Sequence, residues 1–405
     1  MVSTVSQTEQ NLLTINGGSS SVKFSLYQAG ASLQLTLTGK IERIGVSGTC
    51  LTFSDTVKEQ QDRFTLDADD YDAATSFLVG WLEKQIDFTQ LGAIGHRVVH
   101  GMRHTQPEMI TQALLEELRH ISTYDPDHLP GEIDLIEKFR QRYPHLPQIA
   151  CYDTAFHSQM PRLAQMLPVP RRFDKKGIQR YGFHGLSYAY LLEELVRIGD
   201  PSATSGKVIL AHLGNGASLA AVRDGHSIDT SMGFTPASGL VMSTRCGDLD
   251  PGVAWYMMQN ENLTSEQFKH LINRESGLLG ISETSSDMGD LISREATDER
   301  AAEAVALFCY QAKKWTGAYA AALGGLDTLV FAGGIGENSA VVRARICQGL
   351  EFLGIQIEEK YNQQNAAVIS AERSRVVVRV MHTDEELMIA KSVCHVIGLS
   401  NEHTT

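Results

Sequence analysis

The regular hydrophobic pattern of the chain begins in residues 12–27, which read LLTINGGSSSVKFSLY. Apolar residues occupy alternate positions before and after the polar segment 16–21, and a period of two is typical of β-strands. The pattern therefore predicts two strands joined by a polar turn. The two glycines of the turn allow backbone N–H groups to point toward one ligand, its three serines add donors, and Lys23 adds a positive charge. We interpret the turn as a phosphate-binding tip, with an ordinary polar turn as the alternative.

A second segment repeats this plan. Residues 208–222, VILAHLGNGASLAAV, consist of an apolar run, a glycine-rich turn at 214–218 and another apolar run. Two hairpins of the phosphate-binding type in the two halves of one chain predict a duplicated fold that binds a nucleotide between the halves.

The remaining pattern alternates strands with helices. It predicts a strand meander over 33–52 with turns at Gly39 and 46–48, helices over 70–85, 112–123, 133–143 and 339–350, strands over 91–101, 148–153, 329–332 and 376–381, and a last helix from 384 to about 396. Residues 333–336 predict a glycine turn between a strand and a helix, as in many nucleotide sites. The long loop-like stretch 229–253 predicts a wall of an active site.

Length and charge restrict the class of protein. The chain of 405 residues is long enough for two or three domains, and its formal net charge of −13 argues against nucleic acid or an anionic membrane as the main partner. The sequence has neither a secretion signal nor an apolar run that approaches the length of a membrane span, so we expect a cytoplasmic location. The six cysteines lie far apart, which favours reduced thiols over a disulfide framework or a zinc site.

Five polar positions are candidates for chemistry. Arg97 lies at the polar end of a predicted strand, between two histidines, and anion binding and a structural ion pair are equally good interpretations. Asp153 ends another strand, where α/β enzymes keep catalytic or metal-binding groups, although a helix N-cap is the alternative. His184 lies between two glycines, which allow a ligand to approach the backbone, and Arg245 lies in the predicted loop wall. The acidic residues 384–386 either bind a ligand or only cap the last helix.

Ten segments together resemble one family. They read INGGSSSVKF, GHRVVHG, CYDTAFH, RYGFHG, HLGNGAS, DTSMGFTP, TRCGDLDP, SGLLGIS, GGIGEN and TDEELMIA, and they extend from residue 15 to residue 390. In content and order they are similar to the acetate kinases, within the sugar kinase, Hsp70 and actin superfamily. The resemblance implies an α/β fold with two ribonuclease H-like (actin-like ATPase) domains and a cleft between them. The expected bounds are 1–153 plus 387–405 for the first domain and 154–386 for the nucleotide-binding domain.

The resemblance also implies a reaction and its residues. The reaction is the reversible transfer of the terminal phosphoryl group of ATP to a short-chain carboxylate, giving ADP and an acyl phosphate, with Mg²⁺ as cofactor and Mn²⁺ as an alternative. The residues are Asp153, His184 and Arg245 for catalysis; Arg97, Val99, Phe183 and Pro236 for the substrate; Asn16 and Glu385 for the metal; and Lys23, His212, Leu213, Gly214, Asn215, Gly216, Asp287, Met288, Gly289, Gly333, Gly334, Ile335, Gly336 and Glu337 for the nucleotide. A homodimer is implied in the same way.

Two departures from the family pattern leave the substrate open. Residues 122–126 read STYDP where the family reads PLHNP, so Thr123 and Tyr124 replace an apolar residue and a histidine near the acyl pocket. Gly289 replaces an arginine that contacts the nucleotide. Acetate is the expected substrate. The alternatives are a kinase of propionate or another short-chain carboxylate, or a nucleotide-binding paralogue that has lost turnover.

Overall fold

The computed structural model describes residues 10–18, 20–45 and 47–399. Ser19 of the predicted phosphate-binding tip, Val46 of the predicted turn and the ends of the expected first domain (1–9 and 400–405) lie outside these ranges. The chain divides into two compact units, 1–155 with 384–405 and 156–383. In this division residues 384–386 belong to the first unit.

The strands and helices of the described residues are numbered in chain order. The strands are β1 (Gln10–Gly17), β2 (Val22–Ala29), β3 (Leu33–Glu42), β4 (Cys50–Asp55), β5 (Gln60–Thr65), β6 (Leu91–Val98), β7 (Glu108–Met109), β8 (Gln148–Tyr152), β9 (Lys207–Leu213), β10 (Ala217–Arg223), β11 (His226–Thr230), β12 (Thr328–Ala332) and β13 (Val377–Val380). The helices are α1 (Tyr71–Gln85), α2 (Gln112–Ile121), α3 (Leu129–Arg142), α4 (Arg162–Gln165), α5 (Arg171–Asp174), α6 (Gly185–Arg197), α7 (Ser202–Ser205), α8 (Pro251–Asn260), α9 (Ser265–His270), α10 (Gly277–Ser282), α11 (Met288–Arg294), α12 (Glu299–Leu323), α13 (Gly333–Asn338), α14 (Ala340–Cys347), α15 (Glu359–Gln363) and α16 (Glu385–Val396). Short 3₁₀ turns occur at Phe88–Gln90, Ala155–His157 and Glu351–Leu353, and one π-helical turn occurs at Leu271–Glu275.

The first unit is built on an eight-stranded sheet in the order β5-β4-β3-β2-β1-β6-β8-β7. The predicted hairpin is present, with β1 antiparallel to β2, while β1, β6 and β8 run parallel to one another. One face of the sheet packs on α1 and α3 through a core that includes Leu13, Phe24 and Phe139. Helix α16 packs on β6, where a side chain on Gly95 would meet Ile389 and would lie 2.6 Å from Val393 Cγ2.

The second unit repeats the plan in a five-stranded sheet in the order β11-β10-β9-β12-β13. Strands β9 and β10 form the second predicted hairpin, and β9 runs parallel to β12, as β1 runs parallel to β6 in the first sheet. The repeated hairpin pattern of the sequence thus correctly indicated a duplicated α/β architecture. No helix within the described ranges is both long and apolar enough to cross a bilayer.

Several predicted boundaries were wrong. Helix α3 begins at Leu129 rather than at 133, because Pro130 suits the first turn of a helix. The glycine turn predicted for 333–336 is instead the first part of α13, and the helix predicted over 339–350 is the shorter α14. The loop wall over 229–253 is correct only for 231–250, all described, which contain neither helix nor strand.

The turn predicted at Gly39 was also wrong, because Gly39 lies inside β3. A Cβ atom at this position would lie 2.7 Å from the carbonyl oxygen of Thr52 and would meet the ring of Phe24. The glycine is required by the aromatic ring that packs over it, a role that sequence cannot distinguish from a turn.

We expect Gly39→Ala to destabilise the first unit by about 1–3 kcal/mol, since the added methyl group overpacks the core. Urea unfolding followed by circular dichroism measures this free energy. Gly80→Ala is the matched control, because Gly80 lies inside α1 and nothing lies within 4 Å of its added Cβ atom. An equal loss of stability in both variants would contradict the packing explanation.

Candidate active site

Three parallel strands of the first unit end at one edge of the sheet. Asn16 lies at the end of β1, Arg97 at the end of β6, and Asp153 directly after β8. The carboxyl edge of parallel strands is where open α/β sheets bind ligands. The structure therefore brings together three residues that are separated in the chain by up to 137 positions, counted from residue 16 to residue 153.

Arg97 and Asp153 form a buried ion pair at this edge. Arg97 Nε donates to Asp153 Oδ2 at 3.0 Å, and Arg97 Nη1 donates to the carbonyl oxygen of Gly17 at 2.8 Å. Burial acts to lower the pKa of Arg97, but the carboxylates of Asp153 and Glu132 outweigh this effect and raise the pKa above its ordinary value. The Arg97 side chain keeps 12 % of its surface accessible, so a fixed and permanently charged guanidinium is available to an anion.

A second cluster joins β1 to the start of α16. Asn16 Nδ2 donates to Glu385 Oε2 at 2.8 Å and to Glu386 Oε1 at 2.9 Å, and Lys23 Nζ lies 3.8 Å from Glu386 Oε1. Burial raises the pKa of Glu386. Burial also acts to lower the pKa of Lys23, but Glu386 and Glu385 raise it overall.

The oxygen atoms of this cluster suit a hard divalent cation. Within the described ranges no three His, Cys, Asp or Glu side chains lie close enough together to hold a metal ion. Mg²⁺ does not require such a cage, because it is usually held by one or two carboxylates together with waters and substrate phosphates. Asn16 and Glu385, the residues predicted for the metal, are in direct contact through the Asn16 amide N–H, and Glu385 supplies a carboxylate of this kind.

In the second unit, the side chains of Arg245 and His184 converge on one glycine. A Cβ atom on Gly216 would lie 2.9 Å from Arg245 Nη2 and 3.1 Å from His184 Nε2. Arg245 Nη1 donates to the carbonyl oxygen of Pro236 at 2.7 Å, and His184 Nδ1 is hydrogen-bonded to Ser218 Oγ at 2.8 Å. His184 has a left-handed backbone (φ 59°) immediately before α6. The sequence had separated these groups among three motifs.

The predicted nucleotide segments 212–216 and 333–337 follow neighbouring parallel strands. His212, at the end of β9, is paired in register with Ala332, at the end of β12. Within α13, Glu337 Oε1 accepts a hydrogen bond from the Gly333 N–H at 3.0 Å, and His382 Nδ1 is bonded to Glu337 Oε2 at 2.9 Å. Leu213 ends β9, and Gly214, Asn215 and Gly216 form the hairpin tip. Gly334, Ile335 and Gly336 lie in α13.

The third predicted nucleotide segment, residues 287–289, forms the start of α11. Asp287 caps this helix by accepting a hydrogen bond from the Asp290 N–H at 2.9 Å, and Met288 is buried. Asp287 is hydrogen-bonded to Ser285, Asp290 and Leu291, so its geometry is that of a helix cap.

The apolar residues predicted for the acyl pocket are Val99 in the first unit and Phe183 and Pro236 in the second. Val99 and Phe183 are buried. The Phe183 carbonyl oxygen is hydrogen-bonded to His157 Nε2 at 3.1 Å, and burial lowers the pKa of His157 to about 4, so this ring is neutral at pH 7.

Sequence reasoning missed Glu132. This residue of α3 lies beside Arg97 and accepts a hydrogen bond from the Val99 N–H at 2.9 Å. The sequence did contain a signal for it. Residues 129, 132, 136 and 139 form one face of the helix, and Glu132 is the one charged residue among otherwise apolar ones.

Sequence reasoning also missed Arg343, which is fully buried behind α13. Its Nη1 donates to the carbonyl oxygens of Gly336 and Glu337 at 2.8 and 2.9 Å, and its Nε donates to Asn362 Oδ1 at 2.9 Å. Burial lowers the pKa of Arg343 to about 10. This arginine anchors the C-terminal end of the predicted nucleotide-binding helix.

The chain is similar over nearly its whole length to the proteins of one family. The model of the acetokinase family matches residues 11–391. The acetate kinase of Rhodopseudomonas palustris (strain ATCC BAA-98 / CGA009) is 40 % identical over 388 residues, covering 94 % of this chain and 97 % of that protein. The propionate kinase of Citrobacter rodentium is 41 % identical over 392 residues, covering 95 % and 96 %.

Solved structures give the same result. The acetate kinase of Porphyromonas gingivalis superposes with a TM-score of 0.84 at 34 % identity, covering 96 % of this chain and all of that one. A propionate kinase from Francisella tularensis superposes with a TM-score of 0.86 at 36 % identity, covering 95 % and 98 %. Motif order, fold and full-length similarity agree, and the chain belongs to the acetokinase family.

Proposed function

We propose that this protein is an acetate kinase, which transfers the terminal phosphoryl group of ATP reversibly to acetate and forms acetyl phosphate and ADP. Propionate is the alternative acceptor, and relatives named for each substrate are about equally similar to the chain. The observation that carries the proposal is the convergence of Arg245 and His184 on Gly216. Phosphoryl transfer passes through an anionic transition state, and positioned cations and donors supply most of its catalysis.

In the first unit, Arg97 would bind the carboxylate of the substrate. Its planar fork of N–H donors matches a carboxylate, and Asp153 and the Gly17 carbonyl fix its orientation. A carboxylate nucleophile is already ionised at neutral pH and needs no general base. Asp153 would therefore orient Arg97 rather than remove a proton.

Mg²⁺, with Mn²⁺ as an alternative, would be held by Asn16 and Glu385. When bound, this ion neutralises charge on the nucleotide phosphates. Lys23 would contact a phosphate group from the same cluster, in which Glu386 now compensates its charge.

In the second unit, the segments 212–216, 287–289 and 333–337 would bind ATP or ADP, and His184 and Arg245 would stabilise the transferring group. His184 has a fixed orientation, since its Nδ1 is bonded to Ser218 and its ring stacks on His212 at 4.3 Å between centroids. Its Nε2 atom is the one directed to Gly216.

The size of the acyl group is the open point of the proposal. Val99, Phe183 and Pro236 suit a short aliphatic chain, and one methylene changes pocket binding by only about 1–3 kcal/mol. Thr123 and Tyr124, which replace the family pattern, are the residues we expect to influence the preference.

The direct test is the formation of acyl phosphate, trapped with hydroxylamine, from ATP and Mg²⁺ with acetate, propionate or butyrate in parallel. We expect product with acetate and propionate, and the ratio of their kcat/KM values assigns the preferred substrate. ATP binding without product from any of the three would instead support a nucleotide-binding paralogue that has lost turnover.

Gly216→Ala tests whether the positions of Arg245 and His184 beside Gly216 matter for catalysis. The added methyl group would displace Arg245 or His184, and we expect kcat to fall by about 10²-fold or more, the usual cost of removing one transition-state donor. Gly317→Ala is the control in the same unit, since nothing lies within 4 Å of its added Cβ atom in α12. Wild-type kcat in Gly216→Ala would contradict the assigned roles of both side chains.

We further propose that the protein is a cytoplasmic homodimer that associates through α8. This helix reads PGVAWYMMQN and contains no buried residue, with Trp255 67 % and Tyr256 59 % exposed. An exposed apolar helix face is typical of a protein–protein interface. All six cysteines are free thiols, as a reducing compartment requires.

Trp255→Lys should convert the dimer to a monomer, because a charge would be buried in the contact. Sedimentation velocity measures the change. Phe352→Lys is the control, since Phe352 is also exposed but lies outside α8. A monomeric wild-type protein, or a dimer that Trp255→Lys leaves intact, would exclude this interface.

A further inference from the structure

Glu132 is a carboxyl group in the interior of the first unit. It lies in the first turn of α3 and is only 4 % exposed, on the face of the helix that packs toward the sheet. Glutamate is rarely buried in this way unless its oxygen atoms are bonded, because the charged form loses its hydration. Its contacts should therefore reveal what holds it there.

Those contacts are with the two residues of the β6 end that are proposed to bind the substrate. Glu132 Oε2 accepts a hydrogen bond from the Val99 N–H at 2.9 Å, and Oε1 lies 3.4 Å from Arg97 Nη1. Its Cγ atom would lie 3.6 Å from a Cβ atom on Gly17, whose carbonyl oxygen accepts from the same Arg97 Nη1. One side chain thus touches the guanidinium, the backbone beside it and the tip of β1.

We infer that Glu132 is a positioning residue for the carboxylate substrate. Its two oxygen atoms orient Arg97 and the Val99 backbone. Its protonation state sets how strongly Arg97 attracts an anion. The inference rests on the proposed function and adds to it a residue that acts through Arg97. Asp153 holds two nitrogen atoms of the guanidinium, and the third, Nη1, donates both to the Gly17 carbonyl oxygen and to Glu132.

Several charged and titratable groups face Glu132, so its protonation state changes the charge beside Arg97. Arg97 and Asp153 lie on the sheet side, Asp125 precedes α3, and Tyr71 of α1 lies against Gly17 beside it. Burial raises the pKa of Glu132 to about 8, with Asp125 and Asp153 acting in the same direction and Arg97 and the Val99 N–H opposing them.

The sign of the effect follows from the count of charges. Below this pKa, Glu132 is neutral, and Asp153 and Glu385 are the other carboxylates that act on Arg97. Above it, Glu132 adds a further carboxylate in contact with the guanidinium, and the local charge becomes more negative by one unit. An anionic substrate is then repelled, so the KM for the carboxylate rises with pH.

A merely structural role for Glu132 would give a different result. Loss of a buried contact alone would lower stability and would change the KM for ATP and the KM for the carboxylate together. The positioning role instead predicts a change confined to the carboxylate, with a pH profile that depends on the ionisable group at position 132.

The experiment compares Glu132→Gln and Glu132→Ala with the wild type and with Glu137→Gln. The control makes the same replacement on the same helix, at a residue that contacts Arg119 near the surface. The KM values for acetate and for ATP, kcat and the thermal midpoint are measured from about pH 6.5 to about pH 9.5, which spans the titration of Glu132.

In the wild type and in Glu137→Gln, we expect the KM for acetate to rise about tenfold across this range, since one unit charge is added beside Arg97. Glu132→Gln should give a KM for acetate that does not change with pH, because its amide cannot ionise. The amide oxygen still accepts from the Val99 N–H, while the amide NH₂ replaces the oxygen atom that accepted from Arg97. Glu132→Ala should raise the KM for acetate about tenfold at every pH, with the KM for ATP unchanged, because Arg97 and Val99 lose their restraint.

A Glu132→Gln profile that rises like that of the wild type would overturn the inference, and so would a Glu132→Ala variant in which both KM values change equally. If Glu132→Ala does not fold, the profile of Glu132→Gln decides alone. Absence of acyl phosphate from the wild-type protein with all three carboxylates would overturn the proposed function, and the role of Glu132 with it. A working wild-type enzyme with an unaltered Glu132→Gln overturns only the role of Glu132.

Discussion

The buried pair of Arg97 and Asp153 is the interaction on which the functional edge of the first unit depends. A guanidinium and a carboxylate each lose hydration when they are buried, and the pair is tolerated only where the surrounding bonds have good geometry. Those bonds come from the ends of three strands: Arg97 is the next-to-last residue of β6, Asp153 directly follows β8, and Gly17 ends β1. The register in which the parallel strands pair therefore also determines which charged side chains meet at this edge.

In the second unit, backbone geometry helps to hold the side chains of the candidate site in place. His184 adopts a left-handed conformation that costs a non-glycine residue about 1–2 kcal/mol, and this conformation sets the ring against His212 and Ser218. Arg245 is held by the carbonyl oxygen of Pro236 in a stretch that has no regular structure. The left-handed backbone of His184 and the contacts with Ser218, His212 and the Pro236 carbonyl oxygen define where the His184 and Arg245 side chains lie.

The parts of the structure that the sequence predicted well are those with a local period. Both hairpins, helices α1 and α16 and the strand ends at Arg97 and Asp153 are encoded by alternation, caps and apolar runs within about 15 residues. Gly39 was wrongly predicted to form a turn, because the ring of Phe24 that requires a glycine there lies on another strand. Glu132 was missed because its partners, Arg97 and Val99, lie more than 30 positions away in the chain. The motifs were enough to identify the family. The distances between residues of different motifs depend on how the elements pack, and no single motif determines them.

The place of α16 has a consequence for synthesis on the ribosome. This last helix of the described chain packs so tightly on β6 that Gly95 has no room for a side chain, and its first residue, Glu385, contacts Asn16 near the beginning of the chain. The continuous segment 156–383 has been made in full before α16 emerges, so the second unit is free to fold while the first still lacks one of its helices. The first unit to be translated is thus completed after the second, and its candidate metal ligands meet only after residues 156–383 have been made.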